Sequence, residues 1–173
     1  MALLREAVAR AGASHHFIST VDDVAWLTNL RGSDVEYNPV FLAHLLLHAI
    51  GGTLFVGAGK IDAALRDELA ADGIAVAGYE QAGAALAALG SNQVLLLDPQ
   101  VGSGCRVVEA INPSTLLKSR KTEAEAAFIR QVMAEDGAAM CEFYAGFEAA
   151  LARGERLSEL DVDERLSAAR ARR

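Results

Sequence analysis

The chain reads as an α/β layered domain followed by a helical tail. Three observations predict this. Over the first 112 residues, short apolar runs alternate with segments of helical period. One of those runs, Val94–Leu97, is apolar throughout, as a strand covered on both faces must be. No strand-like segment follows residue 111, where two long amphipathic stretches take over.

In chain order, residues 2–11 form a short amphipathic helix stopped by Gly12. A strand follows over 15–19. Thr20 stands where it can cap a second helix running through Asp22, Asp23 and Trp26, with the two acids suited to the positive end of the helix dipole. Residues 29–39 are irregular, rich in Gly, Ser, Asp and Asn. The apolar runs 40–47 and 53–56 flank Gly51-Gly52, a hairpin signal. Ile61, Leu65 and Leu69 share one face of a helix over 60–71. A short strand at 74–77, an Ala-rich helix at 80–89, the strand Val94–Leu97 closed by Asp98-Pro99, and a last strand at 107–110 complete the domain.

The remainder changes style. Residues 1–112 hold 12 acidic and 6 basic side chains, against 11 and 10 in 113–173. Pro113 and the basic residues Lys118, Arg120 and Lys121 mark a linker over 113–121. Thr122 and Glu125 form a capping box before a helix that continues to Ala152. Its apolar stripe runs through Ala124, Phe128, Val132, Met140, Tyr144, Phe147 and Leu151. Gly154 ends it. Ser158 and Asp161 open a last helix that turns Leu160, Val162, Leu166 and Ala169 to a core. Two such helices need a partner for their apolar faces, and the abrupt end at Ala-Arg-Ala-Arg-Arg predicts a chain cut off before that partner.

Composition narrows the class. The net charge of −7 argues against a nucleic-acid surface. No apolar run reaches the ~18 residues that span a bilayer, and the first residues lack a signal-peptide core. Cys105 and Cys141 are too few for a disulfide framework and read as reduced thiols of a cytoplasmic protein.

The motif patterns that carry chemistry fail here. His44 and His48 have a helical metal-pair spacing, but they lie on a strand-like run with no acid to complete a set. His15 and His16 alternate across a strand, so at most one points inward. Gly57-Ala-Gly59-Lys60 lacks the flanking Gly and Ser/Thr of a phosphate loop and reads as a turn before a helix. Asn112-Pro113-Ser114 has Pro where a glycosylation site forbids it. No catalytic residue and no metal ligand is assigned to this chain.

A family resemblance rests on Asp22-Asp23-Val-Ala-Trp26-Leu-Thr-Asn29-Leu-Arg31-Gly32-Ser33-Asp34-Val-Glu-Tyr37-Asn38-Pro39-Val40-Phe41. This segment resembles the middle domain of three-domain Xaa-Pro aminopeptidases of the creatinase/pita-bread metallopeptidase family. Lys118, Lys121-Thr122-Glu123, Glu125, Arg130, Asp136-Gly137 and Phe143 resemble the entry to the catalytic domain of the same enzymes, and Ser158 to Asp161 with Leu166 its next helix. The resemblance implies a creatinase-like α/β domain over 1–112, with a mixed sheet flanked by helices. It implies a linker over 113–121 and the first helices of an incomplete pita-bread domain over 122–173.

The resemblance also implies a parent that removes the N-terminal residue preceding proline, using two divalent ions of the manganese or zinc class. Those ions would be held by two Asp, one His and two Glu downstream of Arg173. The chain itself is then inactive and binds no cofactor, and its implied partners are peptides with proline second and further copies of itself. Creatinase or a prolidase is a weaker enzyme alternative. A stand-alone binding or dimerisation module of the same fold is the alternative from another class. Arg31, Asp34 and Tyr37 lie in the most unusual loop. Either that loop reaches the substrate cleft or a neighbouring subunit, or Arg31 and Asp34 tie the loop to its own backbone, with an Asp22 or Asp23 pair to Arg31 as a further possibility.

Overall fold

The computed structural model describes residues 1–97, 105–110 and 112–173. Contacts divide the chain into two compact units, Met1–Arg120 and Lys121–Arg173. In the first unit, the described elements run α1 (Ala2–Arg10), β1 (His15–Ile18), α2 (Val21–Thr28), β2 (Ala43–His48), β3 (Gly52–Val56) and α3 (Ala63–Ala71). They continue through β4 (Ile74–Gly78), a 3-10 turn (Tyr79–Gln81), α4 (Ala82–Ala87), β5 (Val94–Leu97), β6 (Arg106–Glu109) and α5 (Pro113–Ser119).

The six strands form one mixed sheet in the order β4-β3-β2-β1-β5-β6. The β1–β2 and β2–β3 pairs are antiparallel, and the other three are parallel. Period-2 alternation sorts the side chains between two cores. Ile18, Leu45, Leu47, Leu54, Val56 and Leu96 pack against Leu4 and Val8 of α1, Val24 and Ala25 of α2, and Leu69 of α3. Their neighbours Phe17, Leu46, Phe55, Leu95 and Leu97 pack on the other side against Ala82 and Leu86 of α4. With helices on both sides of the sheet, β5 is apolar at every position.

Local signals explain most element ends. Gly12 follows α1 at φ 76°, and Asp62 accepts the Leu65 N–H at 2.8 Å, which starts α3 three residues later than the apolar period alone suggests. Thr20 occupies the N-cap position of α2, but its side chain makes no cap bond. The Ala-rich helix is shorter than its composition predicts, because its first turn is 3-10. The Asp98-Pro99 closure of β5 lies outside the described residues.

Residues 113–119, read from sequence as linker, form α5. Asn112 caps it by accepting the Ser114 N–H at 3.0 Å, and Pro113 takes the first turn, where its missing N–H costs no bond.

The second unit is an antiparallel-type pair of helices, α6 (Glu123–Ala152) and α7 (Glu159–Ala171). Both open on the expected capping boxes, Thr122 with Glu125 and Ser158 with Asp161. Their small core is Ala139, Phe143 and Ala169, backed by Phe147, Val162 and Leu166. Arg170–Asp136 at 2.7 Å and Arg172–Glu142 at 2.5 Å pair the two helices along the rim. The stripe expected from sequence is mostly uncovered: Phe128, Val132, Tyr144 and Leu151 are exposed, as is Leu160 at the start of α7. For Phe128 and Val132 the reason is length: at 1.5 Å per residue, the 13-residue α7 covers less than half of the 30-residue α6. Tyr144 and Leu151 lie beside the covered Phe143 and Phe147 but face away from α7.

Replacing Thr122 with alanine removes the cap bond from Glu125 N–H at 3.2 Å. The expected cost is about 1 kcal/mol of helix stability. Amide exchange at residues 124–126 should accelerate severalfold, and Thr122→Ser should restore it. Unchanged exchange would show that α6 does not depend on its box.

Candidate functional site

The segment between α2 and β2 carries the sequence-predicted site residues. Asn29 closes α2 in the left-handed region at φ 55°, and the chain then doubles back on itself. Gly32 N–H donates to Pro39 O, Asp34 N–H to Val40 O at 3.2 Å, and Asn38 N–H to Val35 O at 3.2 Å. A Cβ on Gly32 would stand 2.6 Å from the Phe41 Cβ, so only glycine lets the two limbs approach this closely. Tyr37 sits at the tip at φ 60°, and 91% of it is exposed.

Arg31 and Asp34 are exposed but tie the loop to its surroundings. Arg31 Nη1 donates to Ala25 O at 3.2 Å and Leu30 O at 2.9 Å. Asp34 Oδ2 accepts the Leu42 N–H at 2.6 Å and pairs with Lys60. The Lys60 ammonium, then the Leu42 amide, hold the Asp34 carboxyl below the usual carboxylate range. Lys60 is the residue of the failed phosphate-loop pattern; the turn that carries it anchors the irregular loop to the start of α3. Leu30, Arg31, Asp34, Phe41, Lys60 and Leu65 line a cleft of about 190 Å³ between them. The structure thus brings Arg31 and Asp34 to one cleft and leaves Tyr37 projecting from the tip.

Neither aspartate of α2 pairs with Arg31. Asp22 lies 3.5 Å from Asn38 Nδ2. Asp23 is fully buried, and its Oδ2 accepts from Asn112 Nδ2 at 3.1 Å, Ser114 Oγ at 2.9 Å and Thr115 Oγ1 at 2.6 Å. Lys118 Nζ stands 2.8 Å from its Oδ1. Burial pushes the Asp23 carboxyl upward, but the bonds from Lys118, Thr115 and Ser114 outweigh it and hold the group below its ordinary value. Sequence reasoning missed this cluster. Its only linear trace is Asn112-Pro113-Ser114, an N-cap followed by a first-turn proline.

The histidines divide by strand face. His16 is buried, and its ring reaches Leu96 O and Asn112 Oδ1, both at 3.0 Å. On the opposite face His15 lies near His48, with ring centres 6.1 Å apart, and His44 stacks on Tyr79 at 4.6 Å with Ser19 Oγ 2.9 Å from its Nδ1. Burial pushes His15 and His44 below the ordinary imidazole value. Among the described residues, no three of His, Cys, Asp and Glu stand close enough to hold a metal ion. No helix among them is long and apolar enough to cross a membrane.

Comparison with known proteins places the fold. A family model described as the creatinase/prolidase N-terminal domain matches residues 1–125. Over 94% of its length the chain is 35% identical to a probable Xaa-Pro aminopeptidase P of Arthroderma gypseum, and covers 28% of that protein. Over 84% it is 31% identical to Xaa-Pro aminopeptidase 1 of Dictyostelium discoideum, covering 24% of it. The chain therefore spans about a quarter of the length of these curated relatives. Among solved structures, the X-prolyl aminopeptidase of Caenorhabditis elegans, described as a cytosolic enzyme with a di-nuclear active site, superposes with a TM-score of 0.86. That match covers 99% of this chain and 30% of the other at 22% identity. The prolidase of Pyrococcus horikoshii gives 0.54 over 98% of this chain and 47% of its own, at 14% identity. At these identities the likeness is one of fold.

Proposed function

The chain belongs to the creatinase/prolidase N-terminal domain family, and on that premise we propose that it is the non-catalytic part of a metal-dependent Xaa-Pro aminopeptidase. The parent would release the N-terminal residue of peptides with proline second. The observation that carries this reading is the match, along almost the whole chain, to Xaa-Pro aminopeptidases several times longer. In this reading 1–112 is the creatinase-like domain, 113–121 the connection with α5 as its helical part, and 122–173 the first helices of the catalytic domain. The parent works in the cytoplasm as a homo-oligomer.

Among the described residues no three candidate ligands converge, so those residues do not fit a pair of divalent metals. In the parent, two ions of the manganese or zinc class would be held outside this chain, and no chemical step is assigned to its side chains. What it contributes is a rigid surface loop. Arg31 bonds to the backbone of α2 and of the loop, and Asp34 to the Leu42 amide and Lys60, and so they hold the cleft in shape. Tyr37 is the group they present to the substrate cleft or to a neighbouring subunit.

The longer polypeptide and this chain, purified side by side and assayed on an Xaa-Pro peptide, test the reading. Metal-dependent release by the longer protein and none by this chain is expected. No release by the longer protein overturns it. Within the longer enzyme, Tyr37→Ala should lower turnover roughly tenfold while leaving the melting temperature in place, because an exposed tip contributes little to stability. Arg31→Ala should lower both. A Tyr37→Ala enzyme of full activity would remove the loop from function.

A further inference from the structure

We infer that the cleft beside Arg31 is a binding site for a carboxylate carried on an apolar body of about one residue's size. Arg31 Nη1 is occupied by Ala25 O and Leu30 O, and these two bonds pin the guanidinium plane against the end of α2. The opposite edge of the group, Nε and Nη2, presents two parallel N–H donors at the spacing of the two oxygens of a carboxylate. Among the described residues neither nitrogen has a hydrogen-bond or ion-pair partner. The side chain is exposed and forms part of the cleft wall.

Charge and size narrow the occupant. Lys60 and Asp34 also line the cleft, and they pair with each other. That leaves the Arg31 guanidinium as the uncompensated charge of the described lining residues. It matches a single carboxylate better than a phosphate dianion, whose second charge would meet the Asp34 carboxylate without a cation of its own. The other side of the wall is Leu30, Phe41, Ile61 and Leu65, so an apolar body beside the carboxylate gains by leaving water. The volume of about 190 Å³ is several times the ~30 Å³ share of one water. It is below the ~300 Å³ at which pockets for drug-sized ligands begin. One apolar residue or a short branched acid is of that size.

The site is built before a ligand arrives. Gly32 sets the close approach of the two limbs of the loop, and Asp34 ties that loop to the Leu42 amide and to Lys60. With the guanidinium already pinned, little ordering is left for binding to oppose. Two sources supply the chemistry: the C-terminal residue of a peptide, or a free carboxylic acid. The inference stands apart from the peptidase reading, because binding to this chain can fail while the longer enzyme still releases its residue, and the reverse.

The test is a titration of this chain, followed by its amide nitrogen and proton shifts, with N-acetyl-leucine and with the uncharged N-acetyl-leucinamide. Saturable shifts at Gly32, Ser33, Leu42 and Ile61 are expected with the acid, and binding of the amide at least about tenfold weaker, the loss of a charge-assisted hydrogen bond. Arg31→Lys keeps the charge without the fork and should weaken the acid roughly tenfold. The tripeptide alanyl-prolyl-leucine separates the sources: tighter binding than N-acetyl-leucine at the same amides assigns the site to a peptide C-terminus, and equal or weaker binding assigns it to a free acid. No saturable shift at these amides, or equal binding of acid and amide, overturns the inference, as does an Arg31→Lys chain that binds the acid as the wild type does. Should Arg31→Lys not fold, the comparison of acid with amide on the wild type decides.

Discussion

Asp23→Ala is expected to destabilise the first unit by about 3–5 kcal/mol, the cost of removing one partner from a buried ion pair. An exposed pair would contribute about 0–1 kcal/mol; what decides between these magnitudes is that Asp23 is 0% exposed. Its removal takes the carboxylate from Lys118 and the acceptor from Asn112 Nδ2 and Thr115 Oγ1, and leaves Ser114 Oγ only Asn112 Oδ1. Trp26, the chain's single tryptophan, sits on the same helix and reports the urea transition by fluorescence. A midpoint shift worth less than about 1 kcal/mol would place Asp23 with the surface pairs.

The acid dependence has a defined sign. The folded Asp23 carboxyl is held below its ordinary value. It therefore contributes stability above the unfolded value of about 3.9, and that contribution is lost as the pH falls through the folded one. Asp23→Asn should keep the shape and lose this acid limb.

Leu45→Ala and Leu54→Ala should each cost about 3–5 kcal/mol. The two leucines are fully buried and directly opposed on the neighbouring interior strands β2 and β3, with helices closing over them. Each truncation leaves a void that a two-sided sheet cannot collapse around. Because they touch the same core, the double variant should depart from the sum of the singles by more than about 0.5 kcal/mol. Phe128→Ala removes a larger side chain yet should change stability by less than about 0.5 kcal/mol, because Phe128 is 66% exposed on α6. Urea unfolding of the three variants checks this order. A Phe128→Ala loss comparable with that of Leu45→Ala would mean that the uncovered face of α6 is covered in solution.

The order of strands and helices was legible because alternation and helical period are local properties: Phe17 and Ile18 fall in different cores as a strand requires, and Thr122 with Glu125 announces α6 four residues at a time. The loop of Arg31, Asp34 and Tyr37 was legible as a place, since its glycine, aspartate and asparagine have no role inside a strand or helix. The partners of its residues were not. Lys60 lies 26 residues from Asp34, and nothing in the linear pattern distinguishes it from any other lysine at a turn.

The sequence by itself determined the α/β class, the family and the capping boxes of α6 and α7, because each is written in residues close along the chain. The tertiary structure alone decided that 113–119 is a docked helix, that the first-turn acid Asp23 is buried among partners from α5, and that His16 stands between two acceptors. Those outcomes join residues 80 to 96 positions apart. Chain closure brings them together, and burial gives their hydrogen bonds and charges a weight that they lack in water.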